Sequence, residues 1–152
     1  TVHLDSDLKK IALAHRGTDA VNEHESVDMV SRTAEVKPWE FVDAFAARDV
    51  RKCLLYLGRM DSVSPHALLA MCTTRLRELV CARSMADRGG VAAALKAPDW
   101  RVKNHVNWAR GFTAAELRRA IISSRDTERA MKSGADPRSA FLDWVLAVTA
   151  RR

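Results

Sequence analysis

The sequence contains few of the residues that form turns and β-strands. Its 152 residues include only six glycines, four prolines, one tyrosine and four phenylalanines. Such a composition excludes collagen-like, low-complexity and disordered chains, and an all-β sandwich needs more turn and aromatic residues. Hydrophobic residues still make up 47% of the chain, which is enough for the core of a single domain. The composition therefore predicts a soluble, helical, basic protein.

Cysteine is scarce, and neither a long apolar run nor a signal peptide is present. Cys53, Cys72 and Cys81 form no CxxC pair and lie near no histidine with ligand spacing, so a disulfide framework or a zinc site is not expected. We predict that the three cysteines are small buried residues inside helices, in a cytoplasmic protein. No stretch approaches the ~18 apolar residues of a membrane span, so no membrane partner is predicted. The first residue is Thr1, which suggests a processed chain or part of a longer protein.

The sequence also lacks the motifs of common active sites. Its five histidines are scattered, and it has no HExxH motif, no GxSxG motif and no glycine-rich phosphate loop. Carboxylate pairs such as Asp5 and Asp7 are typical of helix starts or solvated helix faces. We therefore predict no catalytic, cofactor-binding or metal-binding residue, no cofactor, and no enzymatic activity for this chain.

Apolar residues recur with helical spacing along nearly the whole chain, and no segment alternates with a period of two. The clearest prediction is a long helix that begins at Ser64 and Pro65 and ends at the Gly-Gly pair at 89–90. Thr113 and Glu116 predict a capping box at the start of another helix. Shorter helical segments are predicted at residues 5–15, 25–32, 38–48 and 100–110, after Asp49, over the turn 91–96, and after Asp136. The fold class is all-α, a bundle of about eight or nine helices.

Basic residues are concentrated in the C-terminal part of a chain whose net charge is +6. Up to Asp61 nine Lys or Arg residues stand against eleven Asp or Glu, but from Ser62 onward sixteen stand against eight. Helical spacing places four of these cations on one stripe of the capping-box helix, and two more on the long helix. They are candidate contacts for nucleic-acid phosphates or acidic protein patches, with an ordinary solvated face as the alternative. The candidates are Arg75, Arg83, Arg118, Arg125, Arg129 and Lys132.

Three tryptophans, Trp100, Trp108 and Trp144, belong to predicted helices. Such rings can serve as stacking platforms for nucleic-acid bases. At helical spacing, however, a tryptophan more often packs into the core of the protein, where it buries a large apolar surface. We therefore predict that these three side chains are core residues.

Five segments share their order and spacing with one known family. They are residues 41–52 (FVDAFAARDVRK), 64–79 (SPHALLAMCTTRLREL), 109–113 (ARGFT), 136–140 (DPRSA) and 4–13 (LDSDLKKIAL). Together they resemble segments of the bacterial DNA polymerase III delta subunit, a subunit of the replicative clamp loader. The resemblance covers nearly the whole chain, and its weight comes from the order of the segments.

The resemblance implies a specific organisation and role. Residues 1–35 would be the C-terminal remnant of an AAA+-like lid domain, and residues 36–152 a helical collar domain. In the family, the collars of five subunits pack into a ring, and the delta subunit does not hydrolyse ATP. The chain would thus be a non-catalytic subunit that assembles with gamma/tau and delta-prime through the collar. Contacts of its basic stripes with nearby DNA would be compatible with this role. Binding of the sliding clamp would belong to an N-terminal domain that this sequence lacks.

A stand-alone basic helical module that binds DNA or acts as an adaptor is the alternative. It requires a recognition helix with polar, base-reading residues, and no convincing one is present. The clamp-loader interpretation makes a different structural prediction. Leucine and valine side chains left over after core packing should lie on two separate faces, one for each neighbour in the ring.

Overall fold

The computed structural model describes residues 35–85 and 88–151. The chain divides into two units, Thr1–Val36 and Lys37–Arg152. The architecture given below is that of the second unit, taken by itself.

The described residues form seven α-helices and no strand, so the predicted all-α class is confirmed. The number of helices is smaller than the eight or nine predicted. The two helices predicted at residues 5–15 and 25–32 lie outside the described residues. The helices are α1 (Pro38–Ala46), α2 (Val50–Leu57), α3 (Pro65–Arg83), α4 (Arg88–Leu95), α5 (His105–Arg110), α6 (Ala114–Lys132) and α7 (Pro137–Thr149).

Polar residues at the predicted positions cap the starts of four helices. The Ser64 hydroxyl accepts hydrogen bonds from two amides in the first turn of α3, at 3.1 and 3.4 Å. Thr113 and Glu116 form the predicted capping box of α6, in which the Thr113 hydroxyl accepts from the Glu116 amide at 3.0 Å. Asp49 and Asp136 cap α2 and α7. These caps satisfy amides that have no partner within the helix, so local sequence determines where these helices begin.

Helix α3 lies at the centre of the bundle and contacts α1, α4, α5, α6 and α7. Its buried side chains follow the predicted stripe, because residues three or four apart share one face of a helix. They include Leu68, Leu69, Cys72, Leu76 and Leu79. The path of this helix therefore decides which residues of its neighbours remain on the surface.

The predicted end of α3 is wrong: the helix ends at Arg83, and the Gly-Gly pair at 89–90 lies in the first turn of α4. Ser84 takes the C-cap position, and its amide donates to the carbonyl of Cys81 at 3.1 Å. The Ser84 hydroxyl donates to the same carbonyl at 2.7 Å. These short-range bonds satisfy the last carbonyls of the helix, so no left-handed glycine is required.

Aromatic side chains join α1 to α7. The rings of Phe45 and Trp144 are stacked with centroids 5.2 Å apart, and those of Phe41 and Phe141 lie 5.8 Å apart. The indole Nε1 of Trp144 donates to the carbonyl of Ala120 on α6 at 3.2 Å, so its one polar group is satisfied inside the core. The prediction that Trp144 is a core residue is confirmed.

The predicted helix over residues 100–110 forms only in its second half, as α5. Before it, consecutive turns connect Arg101 to Pro98 and Val102 to Asp99 through backbone hydrogen bonds of 3.0 and 3.2 Å. Of residues 98–104 only Val102 is buried, so this one side chain attaches the segment to the core. The prediction that Trp100 is a core residue is therefore wrong, since 74% of this side chain is exposed.

Arg48 connects the loop between α1 and α2 to two other parts of the bundle. Its backbone is left-handed, with a φ of 59°, in a position at the end of α1 that glycine usually occupies. The side chain is buried, and its Nη1 donates to the carbonyl of Gly111 at 2.7 Å while Nε donates to that of Thr149 at 3.4 Å. Nη2 donates to the carbonyl of Ala150 and lies 3.0 Å from Glu116 Oε2. One guanidinium thus binds the end of α5, the first turn of α6 and the end of α7.

Glu116 is expected to make the stability of the domain depend on pH at the acid end. Hydrogen bonds, first from the Thr113 amide and then from Arg48, lower the pKa of Glu116 from 4.5 to about 2. A pKa that is lower in the folded state contributes stability above pH 4.5, and this contribution is lost as the pH falls from 4.5 towards 2. Urea denaturation of the wild type and Glu116→Gln should therefore show a difference in unfolding free energy that shrinks over this range. A difference that stays constant from pH 7 to pH 2 would contradict the assignment.

Two glycines provide a matched pair of stability predictions. Gly134 has a φ of +106°, and a Cβ added there meets nothing within 4 Å. Gly134→Ala should lower the free energy of unfolding by about 1 kcal/mol, through backbone strain alone. Gly58 has a φ of −65° and room for ordinary contacts, so Gly58→Ala should raise stability by about 0.5 kcal/mol. Thermal denaturation of both variants tests the pair, and equal effects would refute the backbone explanation.

Candidate partner-binding surfaces

Seven large apolar side chains are exposed among the described residues. Five of them line two cavities that lie against α3, and the other two lie apart on α2. Exposed apolar side chains that line a concave surface are typical of binding sites. The seven are Trp39, Leu54, Leu55, Met71, Val80, Trp100 and Ile122.

The first cavity, which we call the tryptophan cavity, has a volume of about 810 Å³ and lies between α1, α3 and the segment before α5. Three tryptophans line it, namely Trp39, Trp100 and Trp108, together with Met71. Trp39 is 58% exposed. The predicted core position of Trp108 is met only in part, because this ring is half-buried and forms part of the cavity wall.

Arg75 forms the polar floor of the tryptophan cavity and is enclosed by its partners. Its Nη1 lies 2.9 Å from Asp43 Oδ1 on α1, and its Nε lies 3.4 Å from Glu78 Oε1 on α3. The guanidinium also packs over the ring of Trp108, 4.9 Å from its centroid. Because its partners lie on α1, α3 and α5, Arg75 holds these three helices together. Both acidic partners neutralise its charge, and the ring covers one side of the guanidinium.

Glu78 contacts a histidine and a second arginine at the same floor. Its Oε1 lies 2.8 Å from Nε2 of the buried His105, and its Oε2 lies 3.2 Å from Arg101. Burial by itself raises the pKa of Glu78, but the His105 hydrogen bond and the charges of Arg101 and Arg75 outweigh it and leave the pKa below its usual value. Glu78 therefore remains charged, and the cluster serves to position the wall of the cavity.

The second cavity, which we call the aliphatic groove, has a volume of about 520 Å³ and lies between α3 and α6. Val80 and Ile122 are exposed on its two walls, at 46% and 54%. No acidic side chain lines the groove in the described part of the chain, and its cations are Arg83 and Arg118. Arg83 donates to the carbonyl of Phe112 at 2.8 Å. The groove thus combines an apolar interior with a positive rim.

The predicted basic stripe on α6 is exposed along its whole length, but its charge is uneven. Lys132 lies 3.2 Å from Glu128, and Arg129 lies 3.9 Å from Asp126. Arg118 and Arg125 have no such ion pair among the described residues. The uncompensated charge is therefore concentrated at the end of the stripe that borders the aliphatic groove.

The six predicted contact residues lie in three environments. Arg75 lies in the floor of the tryptophan cavity and Arg83 in the wall of the aliphatic groove. The other four lie on the exposed face of α6. The structure brings Arg83 and Arg118 together across the groove, and it does not bring Arg75 to the same surface. Whether these residues contact a partner stays a prediction.

Sequence analysis missed the apolar residues beside these cations. Met71 and Val80 are nine positions apart on α3, which at about 100° per residue places them on opposite sides of the helix. Met71 falls outside the apolar stripe that helical spacing predicts, and this was its signal. Helical spacing predicts Val80 in the buried stripe with Leu76 and Leu79, and that prediction is wrong, since Val80 is 46% exposed.

The exposed leucine and valine side chains among the described residues are Leu54 and Leu55 on α2 and Val80 in the aliphatic groove, whereas the tryptophan cavity exposes tryptophan and methionine. That such leftover side chains form one face for each neighbour stays a prediction.

The described residues have three properties that concern metal binding, membrane spanning and cysteine reactivity. They contain no group of three His, Cys, Asp or Glu side chains placed to hold a metal ion, and none of their helices has the length and apolar content to cross a bilayer. Burial, with a smaller effect of Asp49, raises the pKa of Cys53 to about 12, and burial raises the pKa of Cys72 well above its usual value. Both thiols therefore stay protonated, and the prediction of buried cysteines is confirmed for Cys53 and Cys72. It is wrong for Cys81, which is only half-buried.

Comparisons with known proteins agree with this architecture. The structure is similar to the Bacillus subtilis DNA clamp loader delta protein (YqeN), with a TM-score of 0.64 and 21% sequence identity over 84% of this chain and 40% of that one. The match thus spans less than half of that protein, and it shows the fold. No curated protein matches the sequence. The sequence profile of the DNA polymerase III delta subunit, C-terminal domain, matches residues 35–148, and with three-quarters of its length matched the chain belongs to that family.

Proposed function

We propose that this chain is the assembly module of a replicative clamp loader, and that it joins its complex through the collar. Residues 36–152 would be the collar domain and residues 1–35 the end of an AAA+-like lid domain. The partners would be the gamma/tau and delta-prime subunits in the cytoplasm, and the sliding clamp would be bound by another domain of the subunit. No chemical step is assigned to the chain.

One observation carries this proposal: two open cavities of different chemistry lie on opposite sides of the same helix, α3. A subunit within a ring has a neighbour on each side, so it needs two separate docking faces. Each cavity has apolar side chains inside and arginine near its edge, as protein interfaces commonly have an apolar centre and a polar rim. The rigid bundle keeps both faces in fixed positions.

Reconstitution tests the proposal directly. The full chain should co-elute with gamma/tau and delta-prime from the same organism in size-exclusion chromatography at moderate salt. Met71→Glu should weaken this association by about tenfold or more, because it places a charge in an apolar contact. Ala147→Glu, on the exposed face of α7, is the matched control and should assemble like the wild type. Failure of the wild type to co-elute with either subunit would refute the proposed function.

A further inference from the structure

The aliphatic groove has a chemistry that selects among macromolecular partners. Its interior is formed by aliphatic side chains, Leu117 and Ile121 with Val80 and Ile122 on the walls. A groove between two helices is a common docking site for a third helix, whose apolar residues enter at every third or fourth position. The interior therefore fits one apolar helix face.

The positive charge at the rim of the groove limits the choice of partner further. Arg83 and Arg118 line the groove, and Arg125 lies seven residues after Arg118 on the same face of α6. No carboxylate among the described lining residues neutralises them. A partner that covers this rim must bring negative charge, since burying unpaired guanidinium groups is costly.

A nucleic acid fits this surface less well than a protein does. Single strands are held by stacking of bases on aromatic side chains, and the described residues that line the groove include no aromatic ring. Duplex contacts need a continuous row of cations, but Asp126 and Glu128 interrupt the row by pairing with Arg129 and Lys132. At the groove, arginines that have no acidic partner among the described lining residues lie beside an apolar, concave surface.

From this coincidence we propose that the aliphatic groove binds an amphipathic helix of a neighbouring clamp-loader subunit, with an apolar face flanked by acidic residues. The inference rests on the proposed function and adds to it the chemistry of the partner. Apolar anchors occupy the space between Val80 and Ile122. Carboxylates on either side of the anchors pair with Arg118 and Arg125. Arg83 lies at one end of the groove, at the C-terminus of α3.

The test is a binding titration of the full chain with gamma/tau and delta-prime, followed by analytical ultracentrifugation. Ile122→Asp, Val80→Asp and Arg118→Glu should each weaken the complex by about tenfold or more. Arg51→Glu is the matched control, because this arginine is exposed on α2 and lines neither the aliphatic groove nor the tryptophan cavity. It should change the affinity by less than about twofold. The replaced residues are exposed, and circular dichroism of each variant verifies that it folds.

Four other results of these experiments would contradict the inference, and each points to a different explanation. If the wild type assembles and the groove variants assemble equally well, the groove is not the contact, and the proposed function stands. If duplex or single-stranded DNA binds, and Arg118→Glu and Arg129→Glu weaken it equally while Ile122→Asp does not, the stripe binds nucleic acid. If the chain dimerises alone and Ile122→Asp restores the monomer, the occupant is a second copy. If the wild type does not assemble at all, the proposed function and this inference both fail.

Discussion

Replacing Arg48 with methionine is expected to lower the free energy of unfolding by about 3 kcal/mol. The guanidinium donates to the carbonyls of Gly111, Thr149 and Ala150, and each such hydrogen bond contributes about 1 kcal/mol. Its ion pair with Glu116 adds little, because that carboxylate is partly exposed and can turn to water. Methionine retains an apolar stem in place of the aliphatic part of arginine but carries no donor, so most of the loss reports the missing hydrogen bonds.

Chemical denaturation at neutral pH measures this effect. Arg48→Lys should recover only a part of the loss, since one ammonium group cannot reproduce a planar fork that reaches several acceptors. Arg51→Met, at an exposed position on α2, is the control and should stay within about 0.5 kcal/mol of the wild type. An Arg48→Met protein as stable as the Arg51→Met protein would show that the three carbonyls find other donors.

Replacing Phe45 with alanine should destabilise the domain by about 3 to 5 kcal/mol, the usual cost of emptying a buried phenylalanine site. Phe45 is fully buried and stacks on Trp144, with ring centroids 5.2 Å apart. Both elements are helices, and rigid backbones close such a cavity only in part. Because the pair joins α1 to α7, the two ends of the domain separate more easily.

Phe45→Leu serves as the control, since it retains most of the buried apolar surface and should cost about 1.5 kcal/mol or less. Thermal and urea denaturation of the three proteins should therefore rank them as wild type, Phe45→Leu and Phe45→Ala. A loss below about 1 kcal/mol for Phe45→Ala would mean that the site collapses around the alanine, contrary to the rigid packing of α1 and α7.

Local features of the fold could be predicted from the sequence, because their causes are close together along the chain. Ser64, Thr113 and Asp136 each bond amides two or three residues ahead, and such contacts follow from residue type and spacing. The buried stripe of α3 follows from helical periodicity in the same way. The fold class, the starts of the four helices with polar caps and most of the buried face of α3 were therefore predictable.

Features that depend on distant neighbours were not predictable. Trp100 has helical spacing, but no partner from another helix covers it, and it remains on the surface. Arg75 was a candidate for an external contact, yet Asp43, 32 residues away, pairs with it at 2.9 Å. The roles of Val80 and Ile122 as groove walls depend on how α3 and α6 cross. Single-sequence patterns contain no information on such crossings.

The unlike chemistry of the tryptophan cavity and the aliphatic groove has a consequence for symmetry. A two-fold dimer requires that one patch be its own complement, whereas contacts between unlike patches run head to tail. Head-to-tail copies or homologues either close on themselves or continue as an open helical filament, depending on the rotation between neighbours. Since α3 carries residues of both patches, a bend in this helix would change the angle between them and with it the rotation from one neighbour to the next.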